Sequence, residues 1–131
     1  YNPPGEFGAL YLSESPPLCW NEKLKQYNDR ADAIPPQTLG EFDVHIARSL
    51  DLTDESVLKV LGTKVEDLTD LFDHSLPRMI GAAAWSIGIE ALTFFSCVPF
   101  QDATKNVVIF KDHLKPTSKV VLAKTIPYRF S

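Results

Sequence analysis

The sequence predicts an α+β fold, and three observations carry that prediction. Short apolar stretches of strand length occur near both ends of the chain, at residues 9–13, 91–96, 106–110 and 120–126. Segments with helical period and recognisable caps lie between them. The two kinds of segment are interspersed without the regular spacing of repeated βαβ units, which argues against a doubly wound parallel sheet. At 131 residues, 44% hydrophobic and 23% charged, the chain has the size of one domain and enough apolar surface to bury a core.

Residues 9–13 are short and apolar, like a buried strand. Ser15 is a natural N-cap and Pro16 a natural first helical residue, so a helix is expected over residues 16–28. Trp20, Leu24 and Tyr27 fall on one of its stripes. Leu18 and Glu22, four residues apart, share a neighbouring stripe. Residues 29–40 contain Pro35-Pro36 and read as a loop. Phe42, Val44 and Ile46 then alternate with Glu41, Asp43 and His45, the pattern of a half-buried strand over residues 41–48.

Thr53-Asp54-Glu55 caps a short helix ending at Gly62. Thr63 opens another helical turn, with Glu66 three residues on as a capping box. Leu76, Ile80, Ala83, Ala84 and Ile87 describe a longer helix stopped by Gly88. Residues 91–96 form a candidate strand. The run NVVIF at 106–110 suggests a strand covered on both faces. Residues 120–126 form the last strand, with Pro127 ending it.

The composition excludes several function classes. A net charge of -4 without a basic tract makes nucleic acid a poor partner. Apolar runs are interrupted well before membrane-spanning length, so a soluble, cytoplasmic chain is expected. Cys19 and Cys97 are far apart, with no CxxC pair and no Cys/His cluster. They read as two buried free thiols of a reducing compartment, and no metal is expected. His45, His74 and His113 are isolated and read as surface or satisfied core histidines.

The chain carries no GxGxxG, GxSxG or HExxH motif. The candidates for chemistry are polar residues at the ends of apolar elements: Tyr11, Glu22, Ser96 and Asn106. Each also has an ordinary structural reading. Tyr11 is then a core aromatic, Glu22 a solvated helix residue, Ser96 a strand terminator and Asn106 a turn residue.

An ordered set of short motifs adds to this reading. Asn2-Pro3-Pro4-Gly5 is followed by Ala9-Leu10-Tyr11-Leu12-Ser13 and a helix bearing Glu22. Leu50-Asp51-Leu52 and Val57-Leu58 stand in the middle. Leu92-Thr93-Phe94-Phe95-Ser96 and Asn106-Val107-Val108-Ile109-Phe110 follow. This set resembles the RES-domain family over nearly the whole chain. The family opens with Arg-aromatic-Asn-x-x-Gly, with Tyr1 here at the aromatic position and Glu22 at the helix acid. The family's arginine would immediately precede Tyr1, so the expectation is a single RES-like domain over 1–131, truncated and lacking its N-terminal strand.

The resemblance implies an ADP-ribosyltransferase-like split β-sheet core with flanking helices around a cleft for NAD. It implies a toxin of a bacterial toxin–antitoxin pair that cuts the nicotinamide–ribose bond, with water or phosphate as acceptor. A protein ADP-ribosyltransferase and a non-catalytic binding module are its alternatives. Glu22, Tyr11 and Ser96 would be catalytic, and Tyr1, Asn2, Gly5 and Asn106 would contact NAD. The implied partner is an Xre-type antitoxin, and homo-oligomers are compatible with the family.

Overall fold

The computed structural model describes residues 9–69, 73–96 and 105–128. Strand β1 (Leu10–Ser13) leads into helix α1 (Pro16–Gln26). Strands β2 (Gln37–His45) and β3 (Ser49–Asp51) precede three helices, α2 (Glu55–Leu61), α3 (Val65–Leu68) and α4 (Ser75–Ser86). Strands β4 (Ala91–Phe95), β5 (Lys105–Ile109) and β6 (Lys119–Tyr128) complete the described chain. Single 3-10 turns occupy Ala31–Ala33 and Lys111–His113.

The strands divide between two sheets. One has the order β1-β5-β4-β3, with only the β3–β4 pair parallel. The other is an antiparallel ribbon of β2 and β6. The α+β expectation and the split sheet both hold.

The core follows from the register of the larger sheet. Tyr11, Val108 and Leu92 lie in one cross-strand row, and Ser13, Asn106 and Phe94 in the next row on the same face. Leu92, Phe94 and Val108 from these rows pack with Leu52, Leu58, Leu68, Ala84 and Phe110, all buried. The helices α2 to α4 thus cover the apolar part of this face. The row ending in Ser13 and Asn106 carries it into polar territory. On the neighbouring Leu10–Ile109–Ala91 row, Ile109 and Ala91 are also buried, so β5 is apolar on both faces as NVVIF implied.

The caps explain several boundaries. The Ser15 hydroxyl accepts the Leu18 N–H, with Pro16 and Pro17 in the first turn of α1. After α1, Asn28 and Asp29 both take positive φ, 54° and 62°, which short polar side chains tolerate. Asp54 accepts the Ser56 N–H at the start of α2, and Gly62 closes it in the left-handed conformation.

Five expectations need correction. Residues 37–40 are strand, not loop: β2 starts directly after Pro35-Pro36, and its first residues pair with the end of β6. The strand β6 continues through Pro127, which faces Thr38. A two-stranded ribbon leaves an outer edge where a missing N–H removes no ladder bond. At α3 the carboxylate that accepts the Lys64 N–H belongs to Asp67, one residue beyond Glu66. On α4, Ala83 and Ile87 face solvent, and the buried side is Pro77, Gly81 and Ala84. His113 is not a satisfied core histidine: its ring lies 4.5 Å from that of Trp85, and its Nε2 is buried without a hydrogen-bond partner among the described residues.

Glu90 had no part in the sequence reading. It is fully buried at the start of β4. Its Oε1 accepts the Arg48 N–H at 3.0 Å and its Oε2 the Lys115 N–H at 2.9 Å. Its own N–H donates to the Arg48 carbonyl, and its carbonyl accepts from Phe110. Burial pushes its carboxyl up. The hydrogen bonds from Lys115, Ser118 and Arg48, with the Lys115 charge, outweigh burial and hold it below the usual glutamate value. Ser118 in turn accepts the Ala47 N–H at 2.9 Å. Glu90 therefore ties together two of the three connections between the ribbon and the larger sheet, the one after β2 and the one before β6.

Candidate functional site

A cleft of about 800 Å³ opens between the ribbon and the larger sheet. The ribbon contributes Gln37 to Gly40 and Phe42. The opposite wall consists of β1 and α1, with Phe94 and Asn106. Leu68, His74 and Pro77 contribute from the helical layer.

Three of the sequence candidates meet in this cleft. Leu18 is fully buried and fixes the rotation of α1, so Glu22 one turn later points toward the end of the sheet. There the Ser96 hydroxyl and the Asn106 side-chain Nδ2 both donate to Glu22 Oε1, the latter at 2.8 Å. Ser96 lies two residues past Phe94, on the side of β4 that Phe94 and Asn106 share. Ser13 directly opposes Asn106 in the β1–β5 register, and its hydroxyl donates to Asn106 Oδ1 at 2.6 Å. The result is a polar chain, Ser13–Asn106–Glu22–Ser96, drawn from four separate elements. Among the described residues no donor reaches Glu22 Oε2, so one oxygen of the carboxylate is committed and one is not.

Tyr11 lines the same cleft two residues from Ser13. It is 47% exposed, so it is not a core aromatic. Its ring meets Phe94 edge-on at 6.5 Å, an arrangement that holds it upright. Tyr1, Asn2 and Gly5 lie outside the described residues, as does Cys97. Cys19 is a half-buried free thiol on the cleft wall. No group of His, Cys, Asp and Glu that could hold a metal occurs among the described residues. No described helix is long and apolar enough to cross a membrane.

The electrostatics of the cleft differ from those of the chain. The whole protein carries -4. The charged or titratable side chains from α1 that line the cleft are Glu22, Lys23 and Lys25, beside Cys19, and His74 faces in from the helical layer. Among the described residues a single carboxylate stands beside the Lys23 and Lys25 charges, a pattern suited to a ligand with an anionic part and a developing positive centre.

By fold and site this is a split-sheet α+β domain whose inter-sheet cleft holds a hydrogen-bonded carboxylate. The RES domain model matches residues 1–131, and the chain belongs to that family. The fold is similar to that of a chain in the crystal structure of the M. tuberculosis MbcT–MbcA toxin–antitoxin complex. That similarity has a TM-score of 0.75 at 21% identity, and covers 98% of this chain and 70% of the other. No curated protein matches the sequence.

Ser13 and Glu90 are the residues the sequence reading missed. Ser13 had a findable signal, since it sits at the end of a strand that could pair with the Asn106 strand. Glu90 had a subtler one, an acid set between Ile89 and the apolar run from Ala91.

Proposed function

We propose that this RES domain is the toxin of a toxin–antitoxin pair and acts by cleaving the nicotinamide–ribose bond of NAD. The observation that carries this reading is Glu22, held through Oε1 by Ser96 and Asn106 and with no donor on Oε2 among the described residues, on the wall of a cleft large enough for a dinucleotide. The RES family and the fold's likeness to a chain of a toxin–antitoxin complex support the toxin role and an antitoxin partner.

The chemistry suits the side chains. Breaking the bond to nicotinamide builds oxocarbenium character on the ribose, as in glycoside hydrolysis. A fixed carboxylate beside that carbon stabilises the charge at little reorganisation cost, because its donors already hold it in place. Nicotinamide departs neutral and needs no proton, so one carboxylate is sufficient. Glu22 Oε2 can at the same time accept a ribose hydroxyl. Tyr11, upright against Phe94, offers a face or its hydroxyl to the nicotinamide end. Lys23 and Lys25 on the same helix favour the diphosphate.

The test is full-length protein incubated with NAD, with free nicotinamide followed over time. Glu22→Gln should lower the rate by about a thousandfold, the order of one lost electrostatic stabiliser, and leave the melting transition in place. Equal nicotinamide release by this variant would remove Glu22 from the reaction. Label from NAD appearing on a protein instead of as free ADP-ribose or its phosphate would assign the transferase alternative.

A further inference from the structure

We propose that Ser13 is a positioning residue for Glu22, acting through the Asn106 side chain. This rests on the NAD-cleavage reading and extends it to a residue that acts through another side chain.

The argument is one of hydrogen-bond direction. An ionised carboxylate offers only acceptors, whereas an asparagine amide has one accepting end and one donating end. If Asn106 turned its Oδ1 toward Glu22, two acceptors would face each other inside a site where Asn106 is 7% exposed. The amide therefore points Nδ2 at Glu22 Oε1 and Oδ1 at Ser13. A serine hydroxyl can donate or accept, but opposite Oδ1 it can only donate. The chain from Ser13 through Asn106 to Glu22 thus has a single direction, set by the carboxylate, and the Ser13 hydroxyl holds the accepting end of the amide in that orientation. Ser13 and Asn106 are a directly opposed pair in an antiparallel ladder, so the backbone itself fixes their separation.

Without that hydroxyl, Oδ1 is left buried and unpaired, and the amide gains from rotating toward any other donor. Glu22 then loses one of its two donors, and its carboxylate is free to swing. Ground-state binding of NAD, spread over the whole cleft, changes little. Stabilisation of the developing cation depends on the carboxylate's placement and falls.

Two readouts test this in the full-length chain. Kinetically, Ser13→Ala should lower kcat for NAD by about ten- to a hundredfold with KM nearly unchanged, and Ser13→Thr, which keeps the donor, should restore most of the loss. Spectroscopically, the Asn106 side-chain amide pair in nitrogen-15-labelled protein is identified by its disappearance in Asn106→Asp. That pair should move in both Glu22→Gln and Ser13→Ala and return in Ser13→Thr. An unchanged amide signal in Ser13→Ala overturns the proposal, whatever happens to kcat. So does a Ser13→Thr protein that behaves like Ser13→Ala. If the unsubstituted protein consumes no NAD, the functional reading fails, and the amide signal in these variants alone decides the role of Ser13.

Discussion

Glu90→Gln changes almost no volume and removes one charge, which isolates what the buried carboxylate does. Both carboxylate oxygens accept a backbone N–H, Arg48 at Oε1 and Lys115 at Oε2. A glutamine has one accepting oxygen, so one of those N–H groups must face the new NH2. Losing a bond to a charged acceptor costs about 1.5–3 kcal/mol, and the stranded buried donor adds about 1–3 kcal/mol. The bond that survives is to a neutral acceptor and is weaker. Against this, a neutral side chain no longer carries the desolvation penalty of a buried ion, a matter of several kcal/mol. The balance is a loss of about 2–4 kcal/mol at pH 7.

Urea unfolding is the assay, with the midpoint expected to fall at constant slope. In a domain of this size the same loss lowers Tm by about 10 °C. The pH dependence supplies a second check. The folded carboxyl lies below its ordinary value, so its contribution is complete above the unfolded value of about 4.3 and disappears as pH falls through the folded one. The curves of the two proteins should run parallel above the unfolded value of about 4.3 and converge as pH falls below it. A Glu90→Gln protein within about 0.5 kcal/mol of the parent at pH 7 would refute the two-oxygen clamp.

Leu18→Ala should cost about 2–5 kcal/mol, because the side chain is fully buried and its loss leaves a cavity beneath α1; a chemical melt measures it, and a cost under about 1 kcal/mol would mean that α1 is anchored elsewhere. Replacing Lys23 and Lys25 together by alanine should raise KM for NAD several-fold at low salt, leave kcat nearly unchanged, and lose its effect as salt is added. An unaltered KM at low ionic strength would detach the anionic half of the substrate from this end of the cleft.

The sequence made local structure legible where local chemistry decides it. Ser15 and Pro16 mark the start of α1, and Asp54 and Gly62 bracket α2, because caps satisfy backbone groups within a few residues. The failures are places where a distant partner decides. Residues 37–40 carry loop signals, yet β6 supplies a strand to pair with them. Pro127 looks like a terminator, and the open edge of the ribbon accommodates it. Ala83 and Ile87 keep helical period with the buried residues but fall on the outer side, since periodicity finds a stripe without fixing its exact centre.

The candidate site divides in the same way. Glu22, Ser96 and Asn106 were chosen by motif order, and nothing in their spacing showed that they would meet. Their meeting depends on the β1–β5–β4 register, a property of strand pairing across more than 80 residues of chain. Ser13 shows in the sequence only as the end of a strand, and its role needs that register; Glu90 is held chiefly by the Arg48 and Lys115 backbone N–H groups, which no side-chain pattern reveals.

Among the described residues the ribbon and the larger sheet share no ladder, and β2 and β6 pair only with each other. The two walls of the cleft therefore rest on separate sets of strand hydrogen bonds. The ribbon can widen the cleft without breaking a hydrogen bond of the four-stranded sheet, and amide exchange in β2 and β6 should report openings that β4 and β5 never undergo. Access to the carboxylate on α1 is in this sense a property of the smaller sheet, while its alignment is a property of the larger one.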